Sequence, residues 1–291
     1  MAAAVQTECG CTGIRKCLLC EHKDKFKCVS IKALEEERSK KMQQYTFCIR
    51  CGRTLQVGQK CTHRERKCEG PGTQEGVVLE GVSVILGFVT DIEEQTIVAE
   101  IDRTIWKPSQ SGRRKQDFGP QVNFKKKKLK LDNFTGLPEF SKALVERMWI
   151  QVPALSDFQP VELCNLDYIP ERGSSIDPHF DDFWVWGERL VTLNLLSDTI
   201  LTFSNDEHYM EVAVPMPKRS LIIVEGAARY KWKHAIKRQH IVSRRIAITL
   251  RELSQEFCEG GKSFSLGTEL IQRALTFQGK SVQVNIKDHE C

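Results

Sequence analysis

The chain has no apolar run near the ~18–20 residues that a membrane-spanning helix needs, so no membrane segment is expected. Its first ten residues, MAAAVQTECG, lack both a basic n-region and an apolar h-region. That argues against a secretory signal and predicts an intracellular protein. There is no internal repeat and no low-complexity tract of note beyond Lys125-Lys-Lys-Lys128. Cysteine is nearly missing from the long C-terminal part. Only Cys164, Cys258 and Cys291 lie beyond residue 70, against nine before it (Cys9, Cys11, Cys17, Cys20, Cys28, Cys48, Cys51, Cys61 and Cys68). Excess charge is missing there too, with 28 Lys+Arg against 30 Asp+Glu, whereas residues 1–70 carry 15 against 8. A near-neutral body argues against a protein that holds nucleic acid by charge alone, because phosphate contacts demand a basic surface.

What is present is enough for one domain of about 200 residues and a smaller module. The apolar share of 41% and charged share of 28% are those of a globular protein. In a reducing compartment, paired cysteines indicate metal more often than disulfides. Cys9-x-Cys11-x5-Cys17-x2-Cys20 has the count and pairing of a tetrahedral zinc site, and Cys48-x2-Cys51 with Cys61, His63 and Cys68 offers a second. Free thiols are the plainer alternative. The organisation expected is a basic Cys-rich module over 1–70, a turn-forming linker over 71–77, a main domain over 78–280 and a tail over 281–291.

Ser30 caps an expected helix from Glu35 to Gln44, and Val82–Phe88 reads as a buried strand. Thr90 and Glu93 form a capping box for a helix whose Ile92, Ile97, Val98, Ile101 and Ile105 recur at helical spacing. A further helix is predicted from Pro138 to Met148. Eight short strands follow, at Val161–Ile169, Ile176–Asp181, Arg189–Leu196, Ile200–Ser204, Met210–Pro215, Leu221–Val224, His234–Lys237 and Arg245–Leu250. With no helix expected between them, they predict an antiparallel barrel or jelly roll. A last helix, Leu266–Phe277, packs against it. The fold class is therefore α+β, mainly β: a double-stranded β-helix, or jelly roll, flanked by helices and preceded by a Cys-rich module.

Chemistry concentrates in Ile176-Asp-Pro-His-Phe-Asp-Asp182. His179 and Asp181 are two apart, so on a strand both project from one face. His234 would complete a two-histidine, one-carboxylate set that leaves the opposite coordination positions open, which suits non-haem Fe(II) and O2. Arg245 and Arg251, six apart on a later strand, also share a face and supply the fixed positive charge that a dicarboxylate needs. A bare His-x-Asp also arises by chance, and spacing alone leaves open a cupin binding Mn or Zn.

The stretches QDFGP, CNLDYIPERGSSIDPHFDDFWVWGERLVTLNLLS, SLIIVEGAARYKWKHAIKR and RRIAITLRE resemble the AlkB-like family of Fe(II)- and 2-oxoglutarate-dependent dioxygenases over residues 80–280. The resemblance implies iron at His179, Asp181 and His234, and 2-oxoglutarate at Arg245 and Arg251. It implies that O2 and 2-oxoglutarate are consumed, and that an N-methyl group is hydroxylated and lost as formaldehyde. The family's Asn-x-Tyr, which helps seat 2-oxoglutarate, meets Asn165-Leu-Asp-Tyr168 here, one residue too long. Asn165 and Tyr168 cannot both point inward from a regular strand, and Tyr168 is the stronger candidate. Ala247 stands where other members carry an amide.

The segment Ser111–Gly119 resembles the family's lid, whose Arg113, Arg114 and Phe118 would grip an acidic partner or stack on a flipped base. Trp184, Trp186 and Trp232 are either core or an aromatic wall for a methylammonium group. The substrates implied by the resemblance are a methyl-lysine in actin, with consequences for actomyosin, and N6-methyladenine in DNA. Action in cytoplasm and nucleus is expected, and the balance of charge leans towards protein. The rival is a zinc-dependent interaction module whose jelly roll is catalytically idle.

Overall fold

Beyond residue 160 short apolar stretches such as Leu221-Ile-Ile-Val224 are divided by turns, and the chain forms strands buried on both faces, each face meeting a different core. The structure is a computed structural model and describes residues 9–12, 17–23, 41–59 and 79–281, with the backbone of 63–64 and 67–68. The first elements are α1 (Leu18–Lys23), β1 (Gln43–Phe47), β2 (Thr54–Gln56), β3 (His63–Arg64), β4 (Lys67–Cys68) and β5 (Val82–Ile85). Next come α2 (Asp91–Asp102), β6 (Lys107–Pro108), β7 (Arg114–Phe118), a hairpin of β8 (Gln121–Asn123) and β9 (Lys128–Lys130), and α3 (Lys142–Gln151). The roll itself runs β10 (Pro160–Tyr168), β11 (Ile176–His179), β12 (Trp186–Leu195), β13 (Thr199–Asn205), β14 (Met210–Met216) and β15 (Ser220–Val224). It closes with α4 (Gly226–Lys231), β16 (Lys233–Ile236) and β17 (Arg245–Leu253), and α5 (Phe264–Ala274) follows.

Two sheets face each other. The larger has the order β5-β15-β12-β17-β10-β7-β6, and the smaller β11-β16-β13-β14-β1-β2. On the outer face of the larger sheet, Leu163, Val191, Leu193, Ile246 and Ile248 pack with Ile97, Ile101, Val145, Met148 and Leu270 of the helices. On its inner face, Tyr168, Leu190, Ile222 and Ala247 meet Phe203, Val212 and Val214 of the smaller sheet. Each fully buried aliphatic chain contributes about 1.5–3 kcal/mol. A mainly-β jelly roll flanked by helices is therefore the architecture, as the strand pattern predicts. No helix among the described residues is long and apolar enough to cross a membrane.

Several elements differ from expectation. The eight strands are interrupted by α4, whose six residues are too few to show helical periodicity. The helix expected over Glu35–Gln44 lies mostly outside the described residues, and its last two positions belong to β1. That strand pairs parallel with β14, Gln43 opposite Met210 and Thr46 opposite Ala213, and antiparallel with β2. Part of the N-terminal module is thus built into the smaller sheet. The linker expected over 71–77 lies outside the described residues. The expected lid is strand β7, paired with β10 from Leu163 opposite Phe118 to Asp167 opposite Arg114. The lysine run forms the exposed turn joining β8 to β9.

Candidate metal centre and co-substrate pocket

Strand β11 ends at His179, so Asp181 lies past it and not on the same regular strand. The two side chains converge nonetheless, because the chain turns there and Arg229 ties the turn down. Buried Arg229 on α4 donates from Nη1 to the Asp181 carbonyl at 3.0 Å. Strand β16 lies against β11 with His234 opposite His179, their rings 4.4 Å apart. One ligand atom from each of His179, Asp181 and His234 falls within 4.8 Å of the others. His179 Nε2 stands 3.9 Å from Asp181 Oδ1, and His234 Nε2 4.0 Å from Oδ2. Nδ1 of His179 donates to the Asp177 carbonyl at 2.8 Å, since a carbonyl can only accept, and this leaves Nε2 as the lone-pair donor. Burial drives both imidazoles towards the neutral form, His234 down to about 3. Burial alone would raise Asp181, but Arg251 and the imidazoles outweigh it and hold the carboxylate well below its usual range. Two neutral imidazoles and an anionic carboxylate fit a divalent metal with an open face.

Arg251 is partly buried on β17. Its Nη1 donates to Glu162 Oε2 at 2.6 Å and its Nη2 to Asp181 Oδ1 at 3.2 Å, so it positions the carboxylate of the triad. Arg245 differs. It is 2% exposed, its Nε donates to Asn194 Oδ1 at 2.6 Å, and its Nη1 has no partner. The guanidinium lies 4.7 Å from the centre of the Tyr168 ring. Burial lowers its pKa, opposed by Tyr168. A buried guanidinium nitrogen without an acceptor is costly, and a carboxylate is the ligand that relieves it.

Asn165 does not join this pocket. From Glu162 to Tyr168 strand β10 pairs with β17 without a bulge, so Asn165 faces the opposite side from Tyr168. Its Nδ2 donates to Gln116 Oε1 at 2.9 Å, and Gln116 Nε2 in turn donates to the carbonyls of Ile101 and Thr104 below α2. Phe118 is no lid residue either, being 3% exposed in the outer core against Phe140. Arg114 faces outward and pairs with Asp167. Only Arg113 turns inward, 5.9 Å from the Tyr168 ring. Trp186 and Trp232 are buried, so they are core; Trp184 packs partly buried against Phe257. Spacing gave no signal for Arg229, Glu162 or Asn194, because each acts through a partner from a distant strand.

A second cluster lies on the roll's flank. The sulfurs of Cys9, Cys11, Cys17 and Cys20 fall within 4.8 Å of one another, Cys9 to Cys20 at 3.5 Å and Cys17 to Cys20 at 3.8 Å. Four sulfurs about 2.3 Å from a tetrahedral zinc stand about 3.8 Å apart, whereas a disulfide needs about 2.05 Å. The backbone N–H of Cys11 bonds Cys9 sulfur and that of Gly112 bonds Cys11 sulfur; burial pushes the Cys11 thiol up to about 12. Cys48 and Cys51 sit in the turn between β1 and β2. The side chains of Cys61, His63 and Cys68 lie outside the described residues.

A jelly roll that brings two imidazoles and a carboxylate together beside an arginine-lined pocket has the build of a non-haem metal oxygenase. No family model matches the chain. It is 45% identical over 316 residues to the human protein named alpha-ketoglutarate-dependent dioxygenase alkB homolog 4, covering 97% of this chain and 99% of that one. The mouse protein of the same name is 44% identical over 329 residues, with 97% and 100% covered. A Caenorhabditis elegans protein named DNA N6-methyl adenine demethylase is 37% identical over 284 residues, with 94% and 96% covered. The chain belongs to the AlkB-like family of 2-oxoglutarate (α-ketoglutarate)-dependent dioxygenases.

Proposed function

We propose that His179, Asp181 and His234 hold Fe(II), that Arg245 and Tyr168 seat the distal carboxylate of 2-oxoglutarate, and that the enzyme removes an N-methyl group from a basic protein segment. The observation that carries the co-substrate assignment is the unpartnered Nη1 of buried Arg245 on the roll's inner face. Bound Fe(II), O2 and 2-oxoglutarate supply C–H hydroxylation, with 2-oxoglutarate leaving as succinate and CO2. Around them, His179 keeps Nε2 free by donating through Nδ1, Arg251 aims Asp181, and Arg229 fixes the turn that carries it. A hydroxylated N-methyl group then falls apart to formaldehyde and the free amine. At Cys9, Cys11, Cys17 and Cys20 the same reading places structural zinc.

The leaning towards protein rests on charge. A cleft of about 650 Å³ beside the metal turn is lined by Asp157, Glu188, Glu252 and Glu256 against the single cation Arg189, with Phe183 and Tyr230 on its wall. Such a surface attracts lysine and arginine and repels phosphate. A methyl-lysine of actin is the candidate that the family resemblance implies. N6-methyladenine in DNA is the second reading, favoured by the name of the nematode relative. The test is to incubate iron-loaded protein with methyl-lysine peptides of basic sequence and with N6-methyladenine oligonucleotides, measuring formaldehyde. Release from the peptides is expected. Release from the oligonucleotides alone would transfer the assignment to DNA, and 2-oxoglutarate turnover surviving in iron-loaded His179→Ala would overturn the metal assignment.

A further inference from the structure

The cysteine cluster touches the loop that leads into the co-substrate pocket. Gly10 N–H bonds the Ser109 carbonyl at 3.2 Å, and Gln110 bonds the Thr12 hydroxyl at 3.0 Å. Gly112 N–H bonds the Cys11 sulfur. A Cβ on Gly112 would stand 3.2 Å from that of Cys17 and 2.4 Å from the Arg172 carbonyl, so no larger residue fits between knuckle and roll. Gly173 makes the matching approach to Leu18 of α1. The loop needs such a hold. Ser111 at φ 52° and Gly112 at φ 76° are consecutive left-handed residues, and Ser111 is a buried non-glycine.

Two residues of the roll depend on this loop. Ser175, just before the strand that carries His179, bonds the Ser111 carbonyl at 3.0 Å. Arg113 follows Gly112 directly and is 6% exposed. Its Nε donates to the Gln110 carbonyl at 3.2 Å, and its guanidinium faces the Tyr168 ring that Arg245 also faces. Among the described residues neither Arg113 nor Arg245 has a carboxylate partner. Two buried cations beside one ring, without a counter-ion, call for an anion.

We infer that the four-cysteine knuckle is a zinc clamp for the co-substrate pocket, holding the 109–113 loop so that Arg113 joins Arg245 in binding anionic 2-oxoglutarate. The inference rests on the iron and zinc assignments above and adds a coupling between them.

The test uses the full chain, with zinc content measured by elemental analysis. Titrations of 2-oxoglutarate into the Mn(II)-loaded protein give its dissociation constant. The parent is compared with Arg113→Gln, Cys20→Ser and the double variant. Each single change is expected to weaken 2-oxoglutarate by about tenfold to hundredfold, the size of a lost charge-assisted hydrogen bond. In turnover the change falls on KM for 2-oxoglutarate far more than on kcat, and the double variant is no worse than the weaker single one. A loop that is merely a structural prop would give multiplying effects and a shared loss of kcat. Tight binding in zinc-free Cys20→Ser, unchanged binding in Arg113→Gln, multiplying effects, or a parent that carries no zinc would each overturn the clamp. Should Cys20→Ser not fold, stripping zinc from the folded parent with a thiol reagent reads the same coupling. A parent that binds no 2-oxoglutarate at all would instead overturn the enzyme assignment for these residues.

Discussion

At the scale of single residues, the two arginines of β17 look alike in sequence and do different work. Arg245 has an unpartnered Nη1, whereas Arg251 commits Nη1 to Glu162 and Nη2 to Asp181 and leaves only its Nε without a partner. Arg245→Met is therefore expected to raise KM for 2-oxoglutarate by about two orders of magnitude, with iron content kept, because a charge-assisted pair is lost. Arg251→Met is expected to lower iron affinity about 10–100-fold, the usual effect of removing a group that orients a metal ligand. Iron titration and co-substrate kinetics on the two variants decide it; if both change only KM, the division of labour is wrong. Their common face was legible from even spacing, whereas Asp181 lies past the end of β11 and meets His179 through the turn that Arg229 holds, not through strand alternation. The difference between the two arginines was not legible, since Glu162 comes from a strand nearly ninety positions earlier (|i−j|=89). Asn165 shows the opposite case. The family pattern would turn it inward, but its spacing to Tyr168 already forbids both from sharing a face on a regular strand, and the strand's uninterrupted period of two points Asn165 out.

At the scale of elements, what the sequence revealed was whatever had a local signal. The strands of the roll were readable as short apolar segments divided by turns, and α2 from its capping box, in which the Thr90 hydroxyl accepts from Glu93 N–H and Glu93 accepts from Thr90 N–H. Strand β7 was missed because Arg114-Lys-Gln-Asp-Phe118 is polar, and its place is set by Asp167 and Asn165 of its neighbour. Strand β1 was missed because its partner β14 lies more than 160 positions away (Gln43 opposite Met210). The capping box also makes a pH prediction. Arg147, and then the Thr90 N–H, hold the Glu93 carboxylate at about 2 against the ordinary 4.5. Its contribution to stability is thus full above pH 4.5 and is lost as pH falls from there through 2. Melting temperature against pH should fall across that window in the parent and fall less steeply in Glu93→Gln. Parallel profiles would show that the charge adds nothing. The side chain is 35% exposed, so solvent screening keeps the difference small.

At the scale of the whole molecule, the Cys-rich head and the catalytic roll are not two separable bodies over the described residues. The head gives the smaller sheet two strands, buries Phe47 in the roll's inner core and pairs Glu21 with Arg238 at 2.7 Å. Removing residues 1–60 would therefore strip β1 from β14 and leave a long strand with unpaired backbone groups at the sheet edge. It would also remove the burial of Phe47, worth about 1.5–3 kcal/mol by itself. The shortened chain is expected to melt lower and to associate, measured by thermal unfolding and by size-exclusion chromatography with light scattering. Zinc removal from the intact chain separates the head's two contributions. It is expected to release the 109–113 loop and weaken 2-oxoglutarate while leaving β1 on β14, so the protein should keep the parent's oligomeric state. A shortened chain with the parent's oligomeric state and an unchanged melting point would mean that the roll completes its own edge. The head would then act through Arg113 alone.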